Sequence, residues 1–397
     1  MSDAAAPLGA PWPFFAADEI EAAAEVLRSG RVNAWTGDAV QAFEREFAAA
    51  TGTAHAVALA NGTLALEAAL LALGIGPGDE VVVTPRTFLA SVSSVVLRGA
   101  KPVFADVDPD SQNITAATVA AVLSGRTRAI LCVHLAGWPC DMGPILELAR
   151  ARGLKVIEDC AQAHGARHEG QPVGSLGDVA AWSFCQDKIM TTGGEGGMLT
   201  TDDPELWAKV WSYKDHGKSW EAVHRRQHPP GFRWLHESFG TNWRLTEMQA
   251  AIGRVQLAKL PAWVERRRRN AALLNQAWAD LEALRLTLPG PGTYHAYYKH
   301  YAFVRPERLQ PGWSRDRIMQ EVAARGVTCL TGSCSEVYLE RAFEGTGLAP
   351  AERCPVARRL GETSLMFLVH PTLDEGTMRR TADTVREVVL AATTAAA

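Results

Sequence analysis

Seven short apolar runs between residues 55 and 201 constrain this chain more than any other feature. They are HAVALA (55–60), EVVVTP (80–85), PVFADV (102–107), AILCVHL (129–135), KVIEDC (155–160), AAWSF (180–184) and GMLTT (197–201). Most are separated by amphipathic stretches such as LALEAALLALG and MGPILELARARG. Short apolar runs alternating with helical patterns are the signature of crossover units, so the chain is expected to be α/β, with a seven-stranded, mostly parallel sheet and helices on both faces. The last two runs lie too close together for a helical crossover. The seventh strand is therefore expected to run antiparallel.

The segment around those last runs also carries the densest chemistry. Between Lys155 and Thr201 the chain places Glu158 and Asp159 at the end of an apolar run, then Lys188, then Gly193, Gly194, Gly196 and Gly197 around Glu195. A carboxylate at a strand end and a lysine about 30 residues later suit a site at one edge of a sheet. Pyridoxal phosphate (PLP) needs such a pair: a lysine amine to hold its aldehyde, and an acidic partner for its ring nitrogen. The glycines would let the backbone turn tightly beside a flat ligand. A plainer reading stands beside this one, in which Asp159 caps a helix and Lys188 is a solvated lysine.

The order EDCAQAHGA, GDVAAWSF, lysine, GGEGG resembles the DegT/DnrJ/EryC1/StrS family of sugar aminotransferases, PLP enzymes of fold type I. Asn61-Gly62-Thr63 before a helix is similar to the family's S-G-T-x-A-L phosphate cup, and Gly240, Asn242, Arg244, Glu247, Gln249, Ala250, Ala251 and Gly253 match its G-x-N-x-R-x-x-E-x-Q-A-A-x-G signature. The likeness spans the chain from Trp35 to Pro371. It implies that Lys188 is the catalytic lysine, that Asp159 faces the pyridine nitrogen, and that Gln162 lies at the ring's O3′ side. It further implies that Gly62, Thr63 and Ser183 serve the phosphate, that Phe88 stacks on the ring, and that Asn242 reaches the phosphate in a neighbouring subunit, making a homodimer part of the site. Read locally, Thr63 also suits an ordinary N-cap, Phe88 could fill the core and Trp35 could be plain packing, whereas the resemblance implies that the Trp35-Thr36-Gly37 turn lies near the substrate opening. His164, Tyr298, His300 and His370 are left outside the site.

The implied reaction converts a keto sugar, in particular a nucleotide-linked keto-deoxyhexose, to an amino sugar, with L-glutamate or L-glutamine as amino donor. An aminotransferase of a ketocyclitol is the alternative, and a non-catalytic PLP-binding regulatory protein a more distant one. Retention of Lys188 argues against the family's dehydratase branch, which replaces that lysine with histidine. The strand TSLMFLVHP departs from the family's S-L-P-L-H-P wording at Met366-Phe367.

The 397 residues, 47% of them hydrophobic, suffice for a large core and suggest two domains: residues 1–262 as a PLP-binding unit with an N-terminal segment, and residues 263–397 as a smaller α+β unit entered through a long helix. That helix is expected to bend or break at Pro261 and to continue towards Leu284, with Arg266 to Arg269 solvated around it. Pro289-Gly290-Pro291-Gly292 would mark the new unit. A net charge of −4 offers no global field for nucleic acid or an acidic membrane. Seven cysteines without a C-x-x-C pair, and His216, His224, His228 and His236 without metal spacing, suggest neither a disulfide framework nor a metal site. Without a signal-like N-terminus or an 18-residue apolar run, the expected location is cytoplasmic. The alanine-rich tail from Ala391 to Ala397 is expected to fray.

Overall fold

In the computed structural model, which describes residues 11–227 and 234–393, the seven apolar runs become the strands of one sheet. They are β1 (His55–Leu59), β2 (Glu80–Val83), β3 (Lys101–Phe104), β4 (Thr127–Val133), β5 (Lys155–Asp159), β6 (Val179–Ser183) and β7 (Gly197–Thr201). Their order is β1-β7-β6-β5-β4-β2-β3. The pairs β3–β2, β2–β4, β4–β5 and β5–β6 are parallel, whereas β7 runs antiparallel to both β6 and β1. The short connection therefore sets the direction of β7, as expected.

Alternation along the strands sorts side chains into two layers. Val57, Leu59, Val179, Ala181 and Leu199 join one apolar cluster with α3 (Gly62–Ala72) and α4 (Ala90–Leu97). Ala56, Ala58, Ala180, Trp182 and Met198 join another with α2 (Ala39–Thr51) and the long helix α5 (Glu247–Trp278). Helices thus cover both faces. On the second face Phe43 and Phe47, four apart on α2, are both buried, and Phe47 meets Trp182 and Phe184 edge-on at 5.1 and 5.5 Å. Helix α1 (Ala17–Ser29) stops at Gly30 in the left-handed conformation, φ 69°, and lies along α5, where Lys259 pairs with Asp18 and Glu19 at 2.7 and 2.8 Å.

Several local expectations give way to tertiary packing. Helix α5 is continuous through Pro261 and ends at Trp278, short of Leu284. Pro261 is exposed, so water can serve the carbonyl its ring leaves unpaired. Leu284 opens a strand, Leu284–Leu286, that pairs with His300–Val304; the antiparallel sheet continues through Ser364–Phe367 to Cys329–Leu330. That sheet begins before Pro289-Gly290-Pro291-Gly292, which instead leads Thr293–Tyr294 back to pair with Arg167–His168 beside the large sheet. The arginine run is not solvated: Arg266, Arg267 and Arg268 donate to the carbonyls of Leu373, Tyr298 and His295 at 3.1, 3.1 and 2.9 Å, and only Arg269 is exposed. The final helix, Glu375–Thr393, carries the start of the alanine-rich tail and buries Ala392. The last four residues, His228 and the Pro229-Pro230-Gly231 break lie outside the described residues. No helix among the described residues is long and apolar enough to cross a membrane.

Candidate active site

The connections that follow β1, β2, β5 and β6 meet around a cavity of about 610 Å³. Gly62, Thr63, Phe88, Asp159, Gln162, Ser183 and Lys188 all line it, although their positions span 127 residues of chain, from 62 to 188. Clefts at the carboxyl ends of parallel strands are where open α/β sheets gather functional groups.

One end of the cavity is the N-terminus of α3. Its cap is Asn61, not Thr63: the Asn61 Oδ1 accepts from the Leu64 N–H at 3.0 Å, and the helix starts at Gly62. Helix geometry leaves the first-turn N–H groups of Gly62 and Thr63 without intrahelical partners, and with the dipole they favour an anion. Gly62 must be glycine for reasons of space, since a Cβ there would come within 2.6 Å of the Ser183 Cβ. The turn and the Ser183 hydroxyl are consequently held against each other, forming a cradle of small polar groups. The positive φ angles of Gly193 (90°) and Gly194 (121°) let the loop after Lys188 fold back on itself towards β7.

At the floor sits Asp159, 5% exposed. Ser91 Oγ donates to its Oδ2 at 2.7 Å and the Ala161 N–H to its Oδ1 at 3.1 Å. Burial pushes this carboxyl above its ordinary range, opposed by those two hydrogen bonds and by the charge of Lys188. Such a carboxylate gains from a cationic N–H placed against it. Phe88, on the same cavity wall, is 69% exposed, which rules out the core-filling reading and leaves its side chain available for stacking. Gln162 uses its amide oxygen to accept from the Ala136 N–H at 2.8 Å, so its NH₂ end is the one left to donate. The set fits a flat ligand with an anionic group at one end and a protonated ring nitrogen at the other.

Lys188 is held at both ends by residues the sequence reading left out. Its carbonyl accepts from the indole N–H of Trp12 at 2.9 Å, and its Nζ lies 3.6 Å from Asp187 Oδ1 and 5.3 Å from the centre of the Tyr298 ring. Tyr298 donates its hydroxyl to Asp187. Ser91 and Thr87 had a local signal, being four apart just after a strand end, with their hydroxyls 2.7 Å apart. Trp12 and Tyr298, 176 and 110 residues from Lys188, had none.

The other candidates are placed as follows. His164 is fully buried against Trp182 and Phe184, and burial with the charges of Lys188 and Arg267 lowers its pKa to about 3, so it is a neutral packing residue. His300 and His370 are likewise buried, bonded to Asn275 and Thr372 at 2.7 Å each. Trp35 lies under the Lys218 ammonium at 4.1 Å and meets Trp211 edge-on. Asn242 is exposed and outside the cavity; its Oδ1 accepts from the Arg244 N–H at 3.4 Å, while Arg244 pairs with Asp215 at 2.8 Å.

The aminotransferase from Psychrobacter cryohalolentis, a solved structure, is 55% identical and superposes with a TM-score of 0.96 over 98% of this chain and 100% of its own. The dTDP-3-amino-3,4,6-trideoxy-alpha-D-glucose transaminase of Streptomyces venezuelae is 38% identical over 92% of this chain and 90% of its own. GDP-perosamine synthase of Caulobacter vibrioides is 42% identical over 72% and 73% of the two chains. The architecture is that of fold type I PLP-dependent aminotransferases. With its sequence profile matched over residues 14–386, the chain belongs to the DegT/DnrJ/EryC1/StrS aminotransferase family.

Proposed function

We propose that this sugar aminotransferase uses PLP to convert a nucleotide-linked keto-deoxyhexose to the corresponding amino sugar, with L-glutamate as amino donor. The observation that carries the reading is the convergence of a buried carboxylate, a lysine, an exposed aromatic ring and a helix N-terminus on one cavity. The relatives named as dTDP-, UDP- and GDP-sugar enzymes support a nucleotide-linked substrate. When bound, PLP supplies an electron sink for the carbanion formed at the reacting carbon.

This chain's residues then have separable tasks. Asp159 holds the proton on the ring nitrogen, Phe88 covers the ring face, and Gln162 donates to the ring oxygen. Gly62, Thr63 and Ser183 bind the phosphate with backbone and hydroxyl donors. Lys188 Nζ, released when the amino donor enters, carries a proton away from the donor carbon and returns one to the sugar carbon. We further infer a cytoplasmic homodimer in which Asn242 reaches the partner's site, with residues 1–262 holding the cofactor and residues 263–397 forming the smaller unit.

Visible absorbance of the purified protein tests this. The band of bound PLP should bleach on addition of L-glutamate, and Lys188→Ala should lack that band. Bound PLP that responds to neither glutamate nor glutamine would overturn the donor assignment; failure to bind supplied PLP would overturn the site assignment.

A further inference from the structure

Lys188 has two possible resting places: bonded to the cofactor, or free. Its Nζ lies 3.6 Å from Asp187 Oδ1, the one carboxylate within ion-pair distance of it among the described residues. The other oxygen, Oδ2, is taken by the Tyr298 hydroxyl. The two oxygens of Asp187 are thus divided, one for a fixed phenol and one for a mobile ammonium.

Tyr298 is a rigid post for this carboxylate. Its ring is buried, its N–H donates to the Ala136 carbonyl at 2.8 Å, and its own carbonyl accepts from Arg267 at 3.1 Å. Ala136 is in turn fixed through its N–H by Gln162 Oε1 at 2.8 Å. A chain of contacts from Gln162 through Ala136, Tyr298 and Asp187 therefore ends on the Lys188 amine. Asp187 faces the cavity.

The surroundings make the pairing selective. Lys299 lies on the same phenol ring, 4.7 Å from its centre, and Arg267 lies close behind. Asp159, Glu195 of the glycine loop and Cys185, three residues before Lys188, also line the cavity, and His164 is a buried neutral ring. Burial alone would raise the Asp187 carboxyl, but Lys188, the Tyr298 hydroxyl and Lys299 together hold it below the ordinary range.

We propose that Asp187, fixed by Tyr298, is a positioning residue that receives the Lys188 ammonium whenever that lysine is released and governs how readily its amine reacts. This rests on the reading of Lys188 as the reactive lysine. Neither Asp187 nor Tyr298 needs to touch the sugar. Their effect is exerted through the one nitrogen that moves the proton.

The test is competitive acetylation of the full chain, freed of PLP, with acetic anhydride across the alkaline range, reading the Lys188 and Lys299 peptides by mass spectrometry. Asp187→Asn keeps the shape and the contact with Tyr298 but removes the charge. Lys188 labelling should rise by up to about fivefold across that range as the ammonium loses its partner. Asp187→Glu should restore the wild-type profile, and Tyr298→Phe should give an intermediate rise. A Lys188 profile for Asp187→Asn that coincides with wild type, at unchanged thermal midpoint, would overturn the proposal. Should Asp187→Asn not fold, coincidence of Tyr298→Phe with wild type overturns it equally. A separate arm adds PLP to the wild type: failure of PLP to protect Lys188 refutes the reading of the lysine and leaves the Asp187 pairing to be judged on the variants.

Discussion

Ser91 Oγ donates to Asp159 Oδ2 at 2.7 Å across 68 residues of chain, and this bond orients the buried carboxylate at the floor of the cavity. A hydrogen bond to a charged group contributes about 1.5 to 3 kcal/mol. Ser91→Ala should therefore weaken PLP retention about tenfold or more, read by equilibrium dialysis. The Ser91 donor lowers a carboxyl that burial has raised, so its removal raises that carboxyl further. Binding of the cationic ring nitrogen needs the charged form, and the acid limb of retention should move to higher pH.

Gly62→Ala sets two effects against each other. Alanine is favoured over glycine in a helix by about 0.5 to 1 kcal/mol. The added Cβ, however, would sit 2.6 Å from the Ser183 Cβ and 3.0 Å from its Cα, a clash with a strand rather than with a flexible tip. Overpacking of this kind costs about 1 to 3 kcal/mol, so the variant should be destabilised on balance. A lower urea midpoint together with weaker binding of PLP is the expected result.

Asn242 separates a shared site from a self-contained one. It is exposed and outside its own chain's cavity, which suits service to a partner. If Asn242 serves the partner, co-refolded Asn242→Ala and Lys188→Ala chains form heterodimers carrying one intact site, and about a quarter of wild-type activity should return from two inactive parents. No recovery would place Asn242 in the service of its own chain.

Glu158 is buried behind the site and committed on all sides. His134 Nε2 lies 2.9 Å from its Oε2, and the N–H groups of Gly174, Leu176 and Gly177 donate to its oxygens at 2.9, 2.8 and 2.7 Å. Burial would raise this carboxyl, yet His134 and the backbone donors hold it below the ordinary range. Gln offers a single acceptor oxygen where Glu158 receives four N–H donors, and a buried donor left unsatisfied costs about 1 to 3 kcal/mol, so Glu158→Gln should lower the urea midpoint sharply at neutral pH. A depressed folded pKa contributes stability above the unfolded value and loses it as pH falls through the folded one. The gap between wild type and variant should accordingly narrow in acid.

The same commitment explains why the grouping of His134, Glu158 and Cys160, whose ligand atoms lie within 4.8 Å of one another, does not read as a metal centre. The carboxylate is already saturated by donors that a cation would have to displace.

Local features decided what the amino-acid sequence by itself could reveal. Apolar period and length located all seven strands, and the short chain between residues 184 and 197 set β7 antiparallel, because both depend on neighbours in sequence. Spacing pointed to Asp159 and Lys188, and the family resemblance to Gly62, Thr63, Phe88, Gln162 and Ser183; all seven line the cavity, at or shortly after strand ends. Tertiary structure alone decided the rest. Asn61 displaced Thr63 as the cap, and Pro261 stayed within a continuous helix because its exposed side tolerates a missing hydrogen bond. Arg267 left solvent because the Tyr298 carbonyl and the Trp12 ring, 5.0 Å away, receive it. Trp12 and Tyr298 reach Lys188 only through the folded chain. No pattern within a helix turn or a strand pair encodes such contacts, because their stability comes from groups brought together by packing rather than by sequence distance.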